Sequence, residues 1–272
     1  MRHYTYRRWW QTSLIGALLL SAGCSPSDPP LIRIEARGSG FDVPSTTPTG
    51  LVRVRLVNRD TAWHEANLTR LTGREGTLAN YLAKARAGEE YPAFSQDVGG
   101  PTLVAPGDSL DVMLRLTEGH YLVLSWRRDD ALSGFAAEFQ AQGGGAPHDL
   151  PRDVQEVVLG DYSISPMLAR RGPTMLHVMN RGPHEHEMTI LRLARGKKAD
   201  DYYAWKDAGE VGAAPAVPVA GTSALAARAE VWMPLVLEPG NYLALCSVET
   251  IGANPVPRHY TLGMQQRFTV PE

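Results

Sequence analysis

Only two cysteines occur in the 272 residues, Cys24 and Cys246, and they lie at opposite ends of the chain. No Cys-x-x-Cys pair exists, which excludes the usual dithiol redox motif and a cysteine-rich zinc site. Long apolar runs are missing too. The longest near the start, Leu14 to Leu20, is far short of the ~20 residues that span a bilayer. No basic stretch stands out, and the formal charge is −2. Phosphate backbones demand a basic patch, so nucleic acid is excluded as the main partner. A phosphate-cradling glycine loop and a Ser-His-Asp constellation are likewise absent. Histidine is sparse, and the single His-x-His is the pair His184 and His186. What remains is ample for a packed core, with 43% hydrophobic residues.

The N-terminus reads as a targeting segment. Arg2, Arg7 and Arg8 form a charged region, Leu14–Leu20 an apolar one, and Ser21-Ala22-Gly23-Cys24 follow. This resembles a bacterial lipoprotein signal, although Ser21 stands where a leucine is commoner. The resemblance implies cleavage after residue 23, lipid on Cys24, and a tether over residues 24–30. With Ser25 next, it implies the periplasmic side of the outer membrane. Loss of the leader's three arginines leaves a mature charge of about −5. Cys246 is then an unpaired thiol in an exported protein, an oxidation hazard unless buried or occupied by a metal.

From Leu31 the chain alternates apolar and polar residues between turn signals, the mark of β-structure. Leu51–Val57 is the clearest strand, and the next is expected from His64 to Leu71. Thr77–Ala87 predicts a short helix capped by Thr77 and stopped at Gly88. Gly143–Pro147 is the best linker, and after it the pattern repeats. Asn58–Leu71 (NRDTAWHEANLTRL) aligns without gaps on Asn180–Leu193 (NRGPHEHEMTILRL). A helix-like insert follows in both; in the second copy it is Asp200–Ala208, ended by Gly209. LTEGHYLVLS at Leu116–Ser125 matches LEPGNYLALC at Leu237–Cys246, and SGFAAEF at Ser133–Phe139 matches LGMQQRF at Leu262–Phe268. The expected architecture is all-β: two tandem β-sandwiches over 31–142 and 153–272, joined by a linker at 143–152.

Ligand chemistry separates the copies. Cys246, His259 and Met264 sit within one C-terminal stretch; the first copy has Ser125, Asp130 and Phe135 there. Only His64, opposite His186, persists. Thiolate and thioether favour Cu(I), while imidazole accepts both oxidation states. Gly-x-Tyr-x-x-x-Cys, then His, then Gly-Met before a last strand resembles the cupredoxin family of blue copper proteins. The resemblance covers the second repeat with ligands and the first without. It implies a Greek-key sandwich and one type 1 copper held by His186, Cys246, His259 and Met264, with His259 near the surface. His184 competes with His186, since on one strand both face the same way. Glu185 and Glu187 are candidate acceptors for the imidazoles. Twelve residues separate Cys246 from His259, where most of the family has a few, so Val248–Arg258 must bulge outward at Gly252, Pro255 and Pro257. His3, His120, His148 and His177 are expected as non-ligands. The function implied is one-electron transfer to a redox protein partner. No histidine flanks Cys246, so no second copper centre is expected and the chain is expected not to be an enzyme. Copper storage or delivery, or a metal-free protein-binding sandwich, is the alternative.

Overall fold

The computed structural model describes residues 28–89, 91–145, 147–250 and 256–272. Cys24, the leader and His3 therefore lie outside the described residues. In chain order the first half carries β1 (Leu31–Arg37), β2 (Gly40–Asp42), β3 (Thr46–Asn58), β4 (Asn67–Leu71), α1 (Leu78–Arg86), β5 (Ser95–Gly99), β6 (Ser109–Leu116), β7 (Gly119–Leu124) and β8 (Ala136–Gly144). The second half carries β9 (Val154–Gly160), β10 (Ser163–Ile164), β11 (Gly172–Asn180), β12 (His186–Leu193), α2 (Ala199–Asp207), β13 (Ala216–Leu225), β14 (Glu230–Leu237), β15 (Gly240–Leu245) and β16 (Gln265–Val270). The chain is mostly strand, as the alternation predicts. Among the described residues no helix is long and apolar enough to cross a membrane.

Pairing in the two halves follows one plan. β1 runs parallel to β3 and β9 parallel to β11; β3 pairs antiparallel with β6 and β11 with β14. In the other layer β4 lies between β5 and β7, with β8 beyond, and β12 lies between β13 and β15, with β16 beyond. Alternate residues of both layers meet in one core that takes in Val54, Leu56 and Tyr121 from the first half and Val178, Met188 and Ala244 from the second. The halves join edge to edge in both layers, through Trp232 opposite Met113 and Leu225 opposite Val98. β8 continues through Gly143 and Gly144, so the glycine-rich stretch begins as strand.

The residues shared by the two copies do the same work in each. Asn58 donates through Nδ2 to the carbonyls of Ala62 (2.7 Å) and Val104 (2.8 Å), and its Oδ1 accepts from Asp60 N. Asn180 donates to His184 O and Leu225 O, both at 2.7 Å, and accepts from Gly182 N. Each fully buried amide thus ties down the loop ahead of the strand that follows. Tyr121 OH donates to Thr117 O at 3.0 Å and Tyr242 OH to Glu238 O at 2.8 Å. Their rings stack on Phe139 and Phe268, with centroids 5.3 Å apart in both cases.

The helices lie where propensity and caps place them. Thr77 Oγ1 accepts Asn80 N at 3.2 Å, as the sequence predicts, and Tyr81 buries against Leu71, Leu122 and Leu124. α2 starts one residue earlier than expected, because Asp201 accepts the Lys198 N–H at 2.7 Å and fixes the entry there. Gly88 (φ 82°) and Gly209 (φ 76°) follow the helix ends in the left-handed conformation that glycine adopts without strain. β4 begins at Asn67 rather than His64, which instead forms an isolated bridge to Val104.

Replacing Asn58 with Ala removes the donor to Ala62 O and Val104 O and the acceptor for Asp60 N, leaving Val104 O only its longer contact with His64 N. A loss of roughly 1–3 kcal/mol is expected in chemical denaturation; an unchanged midpoint would refute the anchoring role.

Candidate metal centre

Three of the four expected ligands come from element ends, where a strand or turn fixes the backbone. His186 opens β12, Cys246 follows β15, and His259 opens a 3-10 turn over His259–Leu262. His186 and Cys246 are 0% exposed and His259 3%. One nitrogen of each imidazole and the thiol sulfur lie within 4.8 Å of one another, a grouping that could hold a metal ion. His186 Nδ1 is 3.1 Å from His259 Nδ1, which is 3.5 Å from Cys246 Sγ. Met264 is also fully buried and joins the cluster through its backbone. Its carbonyl accepts Cys246 N at 3.1 Å, its N–H donates to His259 O at 3.0 Å, and Tyr260 N donates to Cys246 O at 2.9 Å.

The long spacing between Cys246 and His259 closes at its neck. Glu249 and Arg258 form an antiparallel bridge and an ion pair at 2.9 Å. Thr250 N donates to Pro257 O and His259 N to Val248 O, each at 2.9 Å. His259 is therefore delivered to Cys246 as the far arm of a hairpin-like pairing, whatever the length of the excursion. Residues 251–255, with the expected bend at Gly252, lie outside the described residues. His259 is 3% exposed, and Tyr162 stands edge-on to its ring at 5.2 Å.

Tyr162 belongs to the turn that sequence reasoning missed. Between β9 and β10, Asp161 and Tyr162 (φ 57°) bring a carboxylate and an aromatic ring over the two imidazoles. Asp161 Oδ1 lies 3.1 Å from His186 Nε2, and Oδ2 lies 3.1 Å from His184 Nδ1. A carboxylate on Nε2 keeps the proton there and leaves the Nδ1 lone pair for the pocket. His184, 64% exposed in its side chain, sits in the loop before β12 and so does not share the strand face of His186. Glu187 does not orient an imidazole either. Its N–H donates to Cys246 Sγ at 3.4 Å, and its Oε1 accepts Ser247 N at 2.8 Å. Gly182 completes the packing, since a Cβ there would stand 2.8 Å from His186 Nε2 and 2.7 Å from Asp161 Oδ1. A Gly-Asp turn far upstream gives no local signal that it meets a histidine.

Burial sets the protonation of the donors. It pushes the Cys246 thiol well above its usual range, and the nearby charge of Glu187 adds to this. His259 is lowered to about 4, by burial first and by His186 next. His186 is lowered by burial against the opposing pull of Asp161. Partial burial raises the Asp161 carboxyl, but its bonds to His186 and His184 outweigh that and hold it low. Two neutral imidazoles and a neutral thiol thus face one another in a dry space. That arrangement suits a cation, which displaces the thiol proton and gains both lone pairs.

The first half assembles the aligned residues at the same place with no such donor set. His64 is 1% exposed, its Nδ1 lies 3.2 Å from Asp130 Oδ2, and Ser125 Oγ reaches the same oxygen at 3.4 Å. Phe135 stacks on His64 at 3.8 Å. Ion pairing and ring contact fill the space that thiol, imidazole and thioether line in the second half. Among the other histidines, His177 pairs with Glu230 and stacks on Trp232, and His120 pairs with Glu138.

No family model and no curated protein sequence matches the chain. Among solved structures, a reduced auracyanin from Roseiflexus castenholzii matches at 19% identity, over 44% of this chain and 98% of that one, with a TM-score of 0.32. Auracyanin A of Chloroflexus aurantiacus, a "blue" copper protein, matches at 19% over 42% and 100%, with a TM-score of 0.31. A copper-containing nitrite reductase from Thermus scotoductus matches at 11% over 81% of this chain and 59% of its own, with a TM-score of 0.27. Multicopper oxidases match as well. The expectation that the chain is not an enzyme is corrected by these last matches, which are enzymes, and is withdrawn. The functional reading rests on the geometry of the site itself.

Asp161→Asn is expected to weaken copper binding about 10–100-fold by releasing His186, as read by competition with a chelator. Gly182→Ala, which forces the same pair apart, is expected to do likewise. Wild-type affinity in both variants would refute the orienting role of this turn.

Proposed function

We propose that this chain is a cupredoxin-like protein of two tandem sandwiches whose second half holds one type 1 copper. His186, Cys246 and His259 would supply two nitrogens and a sulfur to it, and Met264 a thioether. The observation that carries the reading is the donor set: Nδ1, Nδ1 and Sγ gathered within 4.8 Å and sealed from water. Soft sulfur with two imidazoles suits copper in both oxidation states. Bound there, copper supplies a one-electron couple.

The protein's own residues then hold that couple steady. Asp161 orients His186, the neck from Val248 to His259 holds the second imidazole, and the Cys246–Met264 backbone bond fixes the thiolate loop. Because these are backbone or packed contacts, they would hold the ligands in one arrangement whichever oxidation state the copper had. The Glu187 N–H directed at Sγ tempers the charge on sulfur. The electron is exchanged with a redox protein partner. Lipid on Cys24 keeps the module on the periplasmic face of the envelope, at the outer membrane.

Cu(II) addition is expected to give the intense visible charge-transfer band of a thiolate–copper bond. Cys246→Ser abolishes that band with the far-UV circular dichroism unchanged; a band that persists rules the site out. Met264→Gln, a harder axial ligand, is expected to lower the reduction potential in voltammetry. An unaltered potential removes Met264 from the ligand set.

A further inference from the structure

A two-residue turn stands against both imidazoles of the metal centre. It joins β9 to β10, with Gly160 paired to Ser163 across it. Asp161 Oδ1 lies 3.1 Å from His186 Nε2, and the Tyr162 ring meets His259 edge-on, with centroids 5.2 Å apart and planes at 87°. His259 is 3% exposed, whereas Tyr162 is only half-buried. The tyrosine ring thus touches the second imidazole and also reaches the surface.

The backbone at Tyr162 adds a second observation. Its φ of 57° lies in the left-handed region, which bulky side chains rarely enter. Glycine adopts that conformation freely, so the tyrosine is held there against a local conformational cost. The first half supplies the contrast. Its matching turn, between β1 and β2, is Gly38-Ser39, closed by the pair Arg37 and Gly40. The positive φ there, 63°, falls on the glycine. Both turns lie over corresponding glycines: a Cβ on Gly134 would meet Ser39 O at 2.5 Å, and one on Gly263 would meet Tyr162 O at 3.7 Å. The two turns are therefore placed alike. The one beside the thiol and the second imidazole carries a carboxylate and a ring, and the other carries neither.

We propose that Tyr162 is the access residue of the metal pocket: its ring closes the solvent side of His259, and a metal ion or small reagent reaches the donors past it. A cover of this kind slows entry and escape alike, so it governs exchange rates more than affinity. That the metal is copper rests on the reading above; the cover itself concerns only side chains of this chain.

Diethylpyrocarbonate labelling of the full chain without added metal, read residue by residue in a mass spectrometer, tests the proposal. A buried imidazole reacts only as its cover opens, so the labelling rate reports that cover. In the wild type His259 is expected to react far more slowly than His184, whose side chain is 64% exposed. Tyr162→Gly and Tyr162→Asn both suit the left-handed backbone and remove the ring. Each is expected to speed the labelling of His259 roughly tenfold or more. Tyr162→Phe keeps the ring and is expected to keep the wild-type rate. His64, in the other half and 1% exposed, reports an intact fold by staying protected. With copper bound, the two ringless variants are expected to release it to a chelator faster, with affinity changed less than the rate. Labelling needs no metal, so a failure to bind copper sinks the copper reading alone. Rapid labelling of His259 in the wild type, or wild-type labelling or release rates in the ringless variants with His64 protected, would overturn the proposal. So would a rise in Tyr162→Phe that equals the rise in Tyr162→Gly.

Discussion

Two imidazole nitrogens that face each other at 3.1 Å beside a buried thiol are the constraint on which the second half depends. The two Nδ1 atoms lie within hydrogen-bond distance, with the donor set by the His259 tautomer, and a thiol beside them loses the solvation of its ionised form. A fold meets that cost only if surrounding contacts hold the donors in place. Here they do so from four directions. The Asp161 carboxylate grips His186 from below its ring, Tyr162 closes on His259, and the Glu249–Arg258 neck and the Met264 carbonyl lock the remaining strand ends. None of these contacts is made by the donors' own metal-facing atoms. The site is therefore preorganised by the fold, and a cation entering it gains the donors without paying to assemble them.

The first half shows what the same scaffold does when the donors are replaced. Asn58, Tyr121 and Phe139 repeat the roles of Asn180, Tyr242 and Phe268 almost bond for bond. Yet at the end of the sandwich the space is filled by a histidine held between Asp60 and Asp130 and covered by Phe135. Ring stacking and contacts with two carboxylates surround the buried imidazole, and among the described residues no group of three ligand-type side chains converges there. The two ends differ in what converges on the buried imidazole: a carboxylate and an aromatic ring in one, a thiol and a second imidazole in the other. That difference, more than the presence of histidine, separates a packing site from a binding site.

Much of this was legible in the residues and some was not. Period-two alternation gave the strands, and Thr77 with Gly88 marked α1 to within a residue. The ungapped match of Asn58–Leu71 to Asn180–Leu193 placed His64 and His186 in corresponding positions, as the sheets do. Cys246, His259 and Met264 lie close in sequence, so one loop brings them together. Asp161 and Gly182 were hidden because they act from another strand pair and across a turn, at distances that no periodicity encodes. His184 and His186 looked equivalent on a strand that was taken to begin too early. The long Cys246–His259 spacing looked awkward because length alone does not reveal the bridge at its neck.

The repeat also explains where two acids, the half-buried Glu187 and the buried Glu65, come to lie. Edge-to-edge joining of the halves, at Trp232–Met113 in one layer and Leu225–Val98 in the other, sets corresponding strand ends near each other. In each copy the residue after the aligned histidine is a glutamate that accepts a backbone N–H just beyond the closing hairpin. A fold that repeats a buried acid once per copy must bring the two acids toward the shared seam. Burial raises both carboxyls, and the charge of Glu187 adds to the rise at Glu65. The seam is thus polar for the same reason that the two halves pair their strands alike. Since Glu187 also directs its N–H at Cys246 Sγ, the acid of the second copy sits on the residue that touches the sulfur of the metal centre.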